Sequence, residues 1–177
     1  MNTLVNNEKG KIGEQKIFDE ISSIDIYNKI LRNVRIPIND SEKTTEIDLI
    51  LITCSGLYII ESKNWNGIIS RTKKDDWYMT FNFKKMKHIN SPVKQNKYHI
   101  NYLMQYLDLD SSYFKSYIVF NEKNKLKDNC FISEDNFSII KSNDIFSKVI
   151  KDIKEKDIIL SHEEIDKLYV KIKYMNY

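Results

Sequence analysis

The sequence predicts an α/β sandwich: a mixed sheet with helices on both faces. Three observations carry the prediction. Apolar runs of strand length, rich in Ile and Leu, crowd residues 29–83 and recur at 113–120. Segments with helical apolar spacing flank them, at 8–22 and 92–106. A helix that follows a set of hairpins and leads into a further strand covers the sheet from both sides.

The chain has 177 residues, 41% hydrophobic and 30% charged, which suits a single folded domain over 1–177 with a proper core. Residues 1–8 read as a frayed start. Residues 8–22 form the first helix, with Ile12, Ile17, Phe18 and Ile21 as its apolar stripe. Gly10 and Gly13 each cost a helix about 1 kcal/mol relative to Ala, so their spacing suggests close approach of another backbone. Residues 29–36 form a strand stopped by Pro37, and 39–44 a polar loop.

Two strands follow, 47–52 and 57–63, joined by Thr53-Cys54-Ser55-Gly56. A two-residue loop at Cys54-Ser55 pairs 52 with 57, 50 with 59 and 48 with 61. Asp48 and Glu61 then face each other with Cβ atoms about 5 Å apart. A Gly56 bulge after a type I turn is the alternative register and makes Asp48 a diagonal neighbour. Lys63 shares the face of Glu61 in either case. Two adjacent carboxylates in a half-buried sheet need a proton or a cation. A hard divalent ion, Mg²⁺ or Mn²⁺, is the natural partner for such oxygen ligands. The plainer alternative is a surface ion pair between Glu61 and Lys63.

Gly67 ends a turn, and 68–72 with 77–83 form a second hairpin. Residues 84–90 read as a basic loop. Between Arg71 and Lys97 stand eight Lys or Arg against Asp75 and Asp76, interleaved with Trp77, Tyr78, Phe81 and Phe83. Lys84, Lys85, Lys87 and Lys94 from this stretch suit a nucleic-acid backbone. Inward packing is the competing role for Trp77 and the phenylalanines. Ser91 caps and Pro92 opens a helix over 92–106, with Val93, Ile100, Leu103, Met104 and Leu107 as its buried stripe. Gln95 and His99, four apart, share one face, to bind substrate phosphate or a water, or simply to face solvent.

Residues 113–120 form a strongly apolar strand. Ser142 reads as the cap of a helix over 143–154. Ser161 and Glu164 form a capping box that opens a last helix. Cys54 and Cys130 fit no metal or disulfide pattern, and no apolar signal core or 18-residue apolar run occurs. A cytoplasmic protein without membrane contact is the expectation.

Asp48 with Glu61-Ser62-Lys63 resembles the PD-(D/E)xK nuclease signature. The wider run is more specific: Gly10-x-x-Gly13-Glu14, Thr45-Glu46-Ile47-Asp48, Gly56 through Gly67, and Ser91-Pro92-x-x-Gln95-Asn96-x-x-His99. Together, over residues 9–107, these resemble the NERD (nuclease-related) domain, with Ser91 where the family usually has Asn before the proline. Residues 108–177 would then complete the sheet and add the C-terminal helices.

The resemblance implies a restriction-endonuclease-like mixed sheet with an α-β-β-β-α-β core. It implies Mg²⁺-dependent hydrolysis of DNA phosphodiester bonds. Asp48 and Glu61 would hold the metal, Lys63 would assist the attacking water, and Glu14 and Gln95 would complete the site from two flanking helices. His99 joins Lys84, Lys85, Lys87 and Lys94 as an expected nucleic-acid contact. The resemblance implies frequent fusion to helicase or other modules, so this chain would act alone, as a homo-oligomer, or with a separate helicase or other DNA-processing partner. A non-catalytic nucleic-acid-binding or protein-interaction module that keeps the fold is the alternative.

Overall fold

The computed structural model describes residues 2–38, 42–65, 67–81 and 85–175, with only the backbone for 2–9. Helix α1 spans Asn2–Ser22, so it begins well before residue 8. Ile17 and Ile21 are buried as expected, but Ile12 is 68% exposed. The helix gains cover only from Gly13, which lies against Ser62 and Asn64. Gly10 meets no other backbone; its nearest neighbour is the carboxylate of Glu14 on its own helix.

Three antiparallel strands follow: β1 (Asn28–Pro37), β2 (Thr44–Thr53) and β3 (Gly56–Lys63). Of the two registers open from the sequence, the two-residue loop is the one adopted, with Thr53 opposite Gly56. Gly56 has φ +117, and a Cβ there would lie 2.4 Å from the Tyr113 carbonyl oxygen, so only glycine fits.

The chain then leaves this sheet for a small second one. It comprises β4 (Ile68–Arg71), β5 (Trp77–Phe81) and β6 (Lys85–Ile89), joined later by β8 (Lys125–Leu126). The basic segment expected to be a loop is therefore an edge strand, β6. Among the described residues it pairs on one side only, with β5. Lysines at alternate positions suit an exposed edge, since they discourage further pairing. Trp77 is fully buried and stacks on Phe120, the inward role. Phe83 and Lys84 lie outside the described residues.

Helix α2 (Pro92–Leu107) carries the chain back to β7 (Phe114–Phe120), which lies parallel to β3. Ser91 caps it, accepting from the Lys94 amide at 3.1 Å. Asp75 holds that cap, accepting from the Ser91 hydroxyl at 2.6 Å. The buried stripe of α2 differs from expectation. Leu103 and Leu107 are buried, but Asn96 and His99 are wholly so, and Val93, Ile100 and Met104 only partly. Asn96 donates to the Ile59 carbonyl at 2.9 Å and to the Ser116 hydroxyl at 2.8 Å, tying α2 to β3 and β7. Asn96→Ala removes both of these buried hydrogen bonds and is expected to lower unfolding free energy by about 2 kcal/mol in urea titrations.

The main sheet is completed by β9 (Ile132–Glu134) and β10 (Phe137–Lys141), giving the order β1-β2-β3-β7-β10-β9. Helix α3 (Ile145–Glu155) follows. Ser142 does not cap it. A 3₁₀ turn over Ser142–Asp144 intervenes, and the serine hydroxyl donates instead to Glu122 at 3.0 Å. Helix α4 (His162–Lys173) opens on the expected capping box of Ser161 and Glu164.

Ile50, Ile52, Leu57 and Ile59 pack with α2 and α4. Leu49, Leu51, Tyr58 and Ile60 pack with α1 and α3 on the opposite face. Elements α1, β1, β2, β3, α2 and β7 thus follow the α-β-β-β-α-β order, with β4–β6 inserted before α2. This is a restriction-endonuclease-like arrangement, mixed in strand direction and covered on both faces. Among the described residues, no helix is long and apolar enough to cross a membrane.

Candidate active site

The β2–β3 ladder ends at Leu49 opposite Ile60. Counting one step further sets Asp48 across from Glu61, as the turn chemistry implies. The backbone ladder does not take that step. Asp48 replaces it with its side chain, Oδ2 accepting from the Ser62 amide at 2.7 Å. The aspartate is therefore held at the amide between Glu61 and Lys63, not simply as a cross-strand side-chain pair.

Glu61 is 2% exposed and points to the α2 face. Its Oε1 pairs with the Lys63 ammonium. Gln95 of α2 braces the pair: its Oε1 accepts from Lys63 Nζ at 3.2 Å, and it opposes the rise in the Glu61 pKa. Lys63 Nζ lies 5.6 Å from the centre of the Trp65 ring, a cation–π distance. Glu14 reaches the same region from α1. No hydrogen bond joins it to the other acids, but its charge raises the pKa of both.

His99 departs from its expected role as a nucleic-acid contact. It is completely buried, and its Nδ1 faces Glu61 Oε2 at 3.7 Å while Nε2 meets the Thr45 hydroxyl at 3.1 Å. The imidazole thus lies beneath Glu61, out of reach of solvent in this structure. Glu61 Oε2 and His99 Nδ1 are both buried and have no hydrogen-bond partner among the described residues.

The two acids are crowded and buried, and both hold their protons more tightly than free carboxylates do. Burial, then the charge of Glu61, pushes Asp48 up to about 8, against the Ser62 amide and Lys63. Burial also raises Glu61, opposed by Lys63 and Gln95. Burial and the Lys63 charge bring His99 down to about 4, leaving a neutral imidazole at physiological pH. Carboxylate oxygens, one of them buried and unbonded, fit a hard divalent cation. Among the described residues, no group of three or more His, Cys, Asp or Glu is gathered to hold a metal by itself. Mg²⁺ does not require one, since it commonly binds through one or two carboxylates plus water and substrate phosphate.

A groove of about 540 Å³ leads away from Gln95, lined by Thr45, Lys94, Asn90 and His88 among others. Lys94 stands exposed on its wall, and Lys85 and Lys87 are exposed on β6 beyond it. Arg71, counted with the basic residues, is instead paired with Asp75 at 2.8 Å.

The sequence places Thr45, Asn96 and His99 within the motif, but gives Thr45 and Asn96 no role of their own and reads His99 as a nucleic-acid contact, not as a buried neighbour of Glu61. A signal existed: helical spacing puts Asn96 and His99 on the same stripe as the buried Leu103.

An uncharacterized protein of Bacillus anthracis is 32% identical over 93 residues, which span 52% of this chain and 43% of that relative. The chain thus matches less than half the length of that curated relative. A crystal structure of a protein of unknown function aligns with 92% of this chain and 96% of its own, at 11% identity and a TM-score of 0.38. The family model of the nuclease-related domain matches residues 9–121, from α1 through the end of β7. That span contains Glu14, Asp48, Glu61, Lys63 and Gln95, and the chain belongs to the nuclease-related domain (NERD) family.

Proposed function

We propose that the chain is a divalent-cation-dependent nuclease that hydrolyses DNA phosphodiester bonds. One observation carries the reading: the fold converges Asp48, Glu61 and Lys63, and leaves a buried oxygen of Glu61 without a hydrogen-bond partner among the described residues. Asp48 and Glu61 would hold Mg²⁺ or Mn²⁺, whose contribution is to polarise the scissile phosphate. Lys63, fixed between Glu61 and Gln95, orients the attacking water and donates to a phosphate oxygen as charge builds there. Gln95 keeps Lys63 and Glu61 in register with each other. Glu14, from the opposite face, acts as a further acceptor for water. Lys85, Lys87 and Lys94 neutralise backbone phosphates along the groove. Lys84 belongs to the same proposed set from its place in the sequence.

A second reading, a nucleic-acid-binding module that does not cut, draws on the direct Lys63–Glu61 pair. That pair neutralises one acid with no metal at all.

The test is a panel of plasmid, linear and branched DNA incubated with Mg²⁺ or Mn²⁺. Nuclease action predicts cleavage that EDTA stops. Binding without cleavage leaves the second reading. In DNA-binding titrations at several salt concentrations, Lys85→Gln with Lys87→Gln is expected to weaken the complex. The slope of log K against log salt should shrink by roughly 0.9 for each phosphate no longer neutralised. An unchanged slope would remove β6 from the interface.

A further inference from the structure

The two halves of the β1–β2 hairpin present their side chains in opposite phase. Leu31, Ile50 and Ile52 pack toward α2 and α4, while Ile30, Leu49 and Leu51 pack toward α1 and α3. Strict alternation would send Val34 and Ile47 to the α1 side with Ile30 and Leu49. Both instead join the α2 side, as does Ile36. Thr45 follows them, which is how its hydroxyl reaches His99 on α2. The register does not slip, because Arg32 faces Leu49 and Val34 faces Ile47 on one continuous count. Both strands therefore change phase together at the pair the ladder skips, Asn33 and Asp48.

Asn33 has φ 54, the left-handed conformation that asparagine tolerates better than most residues. Its side chain donates to Glu46 at 3.1 Å, which anchors the kink. Strand β1 is an edge of the sheet, and on β2 the irregularity falls at Asp48, just past the point where the β2–β3 ladder ends.

We propose that Asn33 is a positioning residue for the site. Its left-handed backbone re-phases the hairpin so that Asp48 turns its carboxylate to the Ser62 amide and Thr45 comes under His99 beside Glu61. One kink on a neighbouring strand thereby seats both acids. The inference deepens the nuclease reading and rests on it for its catalytic consequence.

The experiment uses the full chain with Asn33→Gly, Asn33→Ala and Asn33→Val. Two quantities are read: hydrogen-exchange protection of the Ser62 amide relative to other β3 amides without metal, and Mn²⁺ affinity by calorimetry. Asn33→Gly retains the left-handed backbone and is expected to stay within about threefold of the parent in both. Asn33→Val and Asn33→Ala resist that backbone and are expected to lose about tenfold or more in both, the scale of lost support around a metal site. Asn33→Ala stands in should the valine variant fail to fold. Parent-like Ser62 protection in a folded alanine or valine variant would overturn the proposal. So would a loss in Asn33→Gly equal to that in Asn33→Ala, which would assign the effect to the Glu46 bond. A parent chain that binds no Mn²⁺ refutes the nuclease reading instead, and the Ser62 amide still decides the role of Asn33.

Discussion

Lys63→Met is expected to cut DNA cleavage by about a hundred- to a thousandfold in kcat, the scale seen when a donor to transition-state charge is removed. The ammonium is one of three groups held on one patch, and Gln95 fixes it by a 3.2 Å hydrogen bond. Methionine fills similar space without charge, so packing against Trp65 survives. The variant also removes the positive partner of Glu61, which is 2% exposed. Breaking a buried pair by deleting one partner typically costs about 3–5 kcal/mol. Here the loss should be smaller, because burial already favours the protonated glutamic acid and a proton substitutes for Lys63. An unfolding free energy lower by about 1–2 kcal/mol in EDTA is therefore expected. Mn²⁺ should restore that stability, since the cation takes over the charge balance, yet leave cleavage at its reduced rate. Thermal melts with and without Mn²⁺, run beside the cleavage assay, separate the two roles. Cleavage at the parent rate in a folded Lys63→Met variant would sink the catalytic assignment.

The acids and the lysine were legible because a two-residue turn fixes everything downstream of it. Once Cys54-Ser55 is the loop, the positions of Asp48, Glu61 and Lys63 follow by counting, and the structure keeps that count as far as Leu49 and Ile60. The phase change at Asn33 was not legible. A left-handed asparagine leaves no clear periodic trace, because the apolar residues nearest it, Leu31 and Val34, suit a core on either face of the sheet. The same limit hid His99. Burial of a polar helix residue depends on what lies beneath it, and Glu61 and Thr45 are distant in sequence from α2. Strand β6 was missed for a different reason. An edge strand exposed on both faces carries no alternation between core and solvent, so Lys85, Met86, Lys87 and His88 read as a loop. Helix α3 shows how a strong local signal is redirected: Ser142 has cap chemistry, but Glu122 claims its hydroxyl and the helix starts later.

Asp48→Asn is expected to make the metal-free protein more stable at pH 8, while removing its response to metal. In the folded chain Asp48 is raised to about 8 from an ordinary 3.8. The folded state thus holds this proton more tightly than the unfolded state does. Its stabilising contribution is complete below about pH 4 and is lost as pH rises through about 8. Asparagine keeps the oxygen that accepts from Ser62 and carries no charge at any pH. Parent and variant should therefore differ least near pH 4, with the variant ahead by on the order of 2 kcal/mol at pH 8 in EDTA, after discounting for partial exposure. Comparing the two proteins at each pH cancels the remaining titrating groups. Mn²⁺ should then reverse the order. The parent gains about 2.7 kcal/mol at a hundredfold excess over Kd, whereas the variant, short of one anionic ligand, gains much less. Thermal melts from pH 4 to 8 in EDTA and in Mn²⁺ give all four arms. A parent that gains on the variant with rising pH in EDTA would mean that the two acids do not repel one another. The buried charge deficit would then be absent, and with it the reason for a cation to bind there.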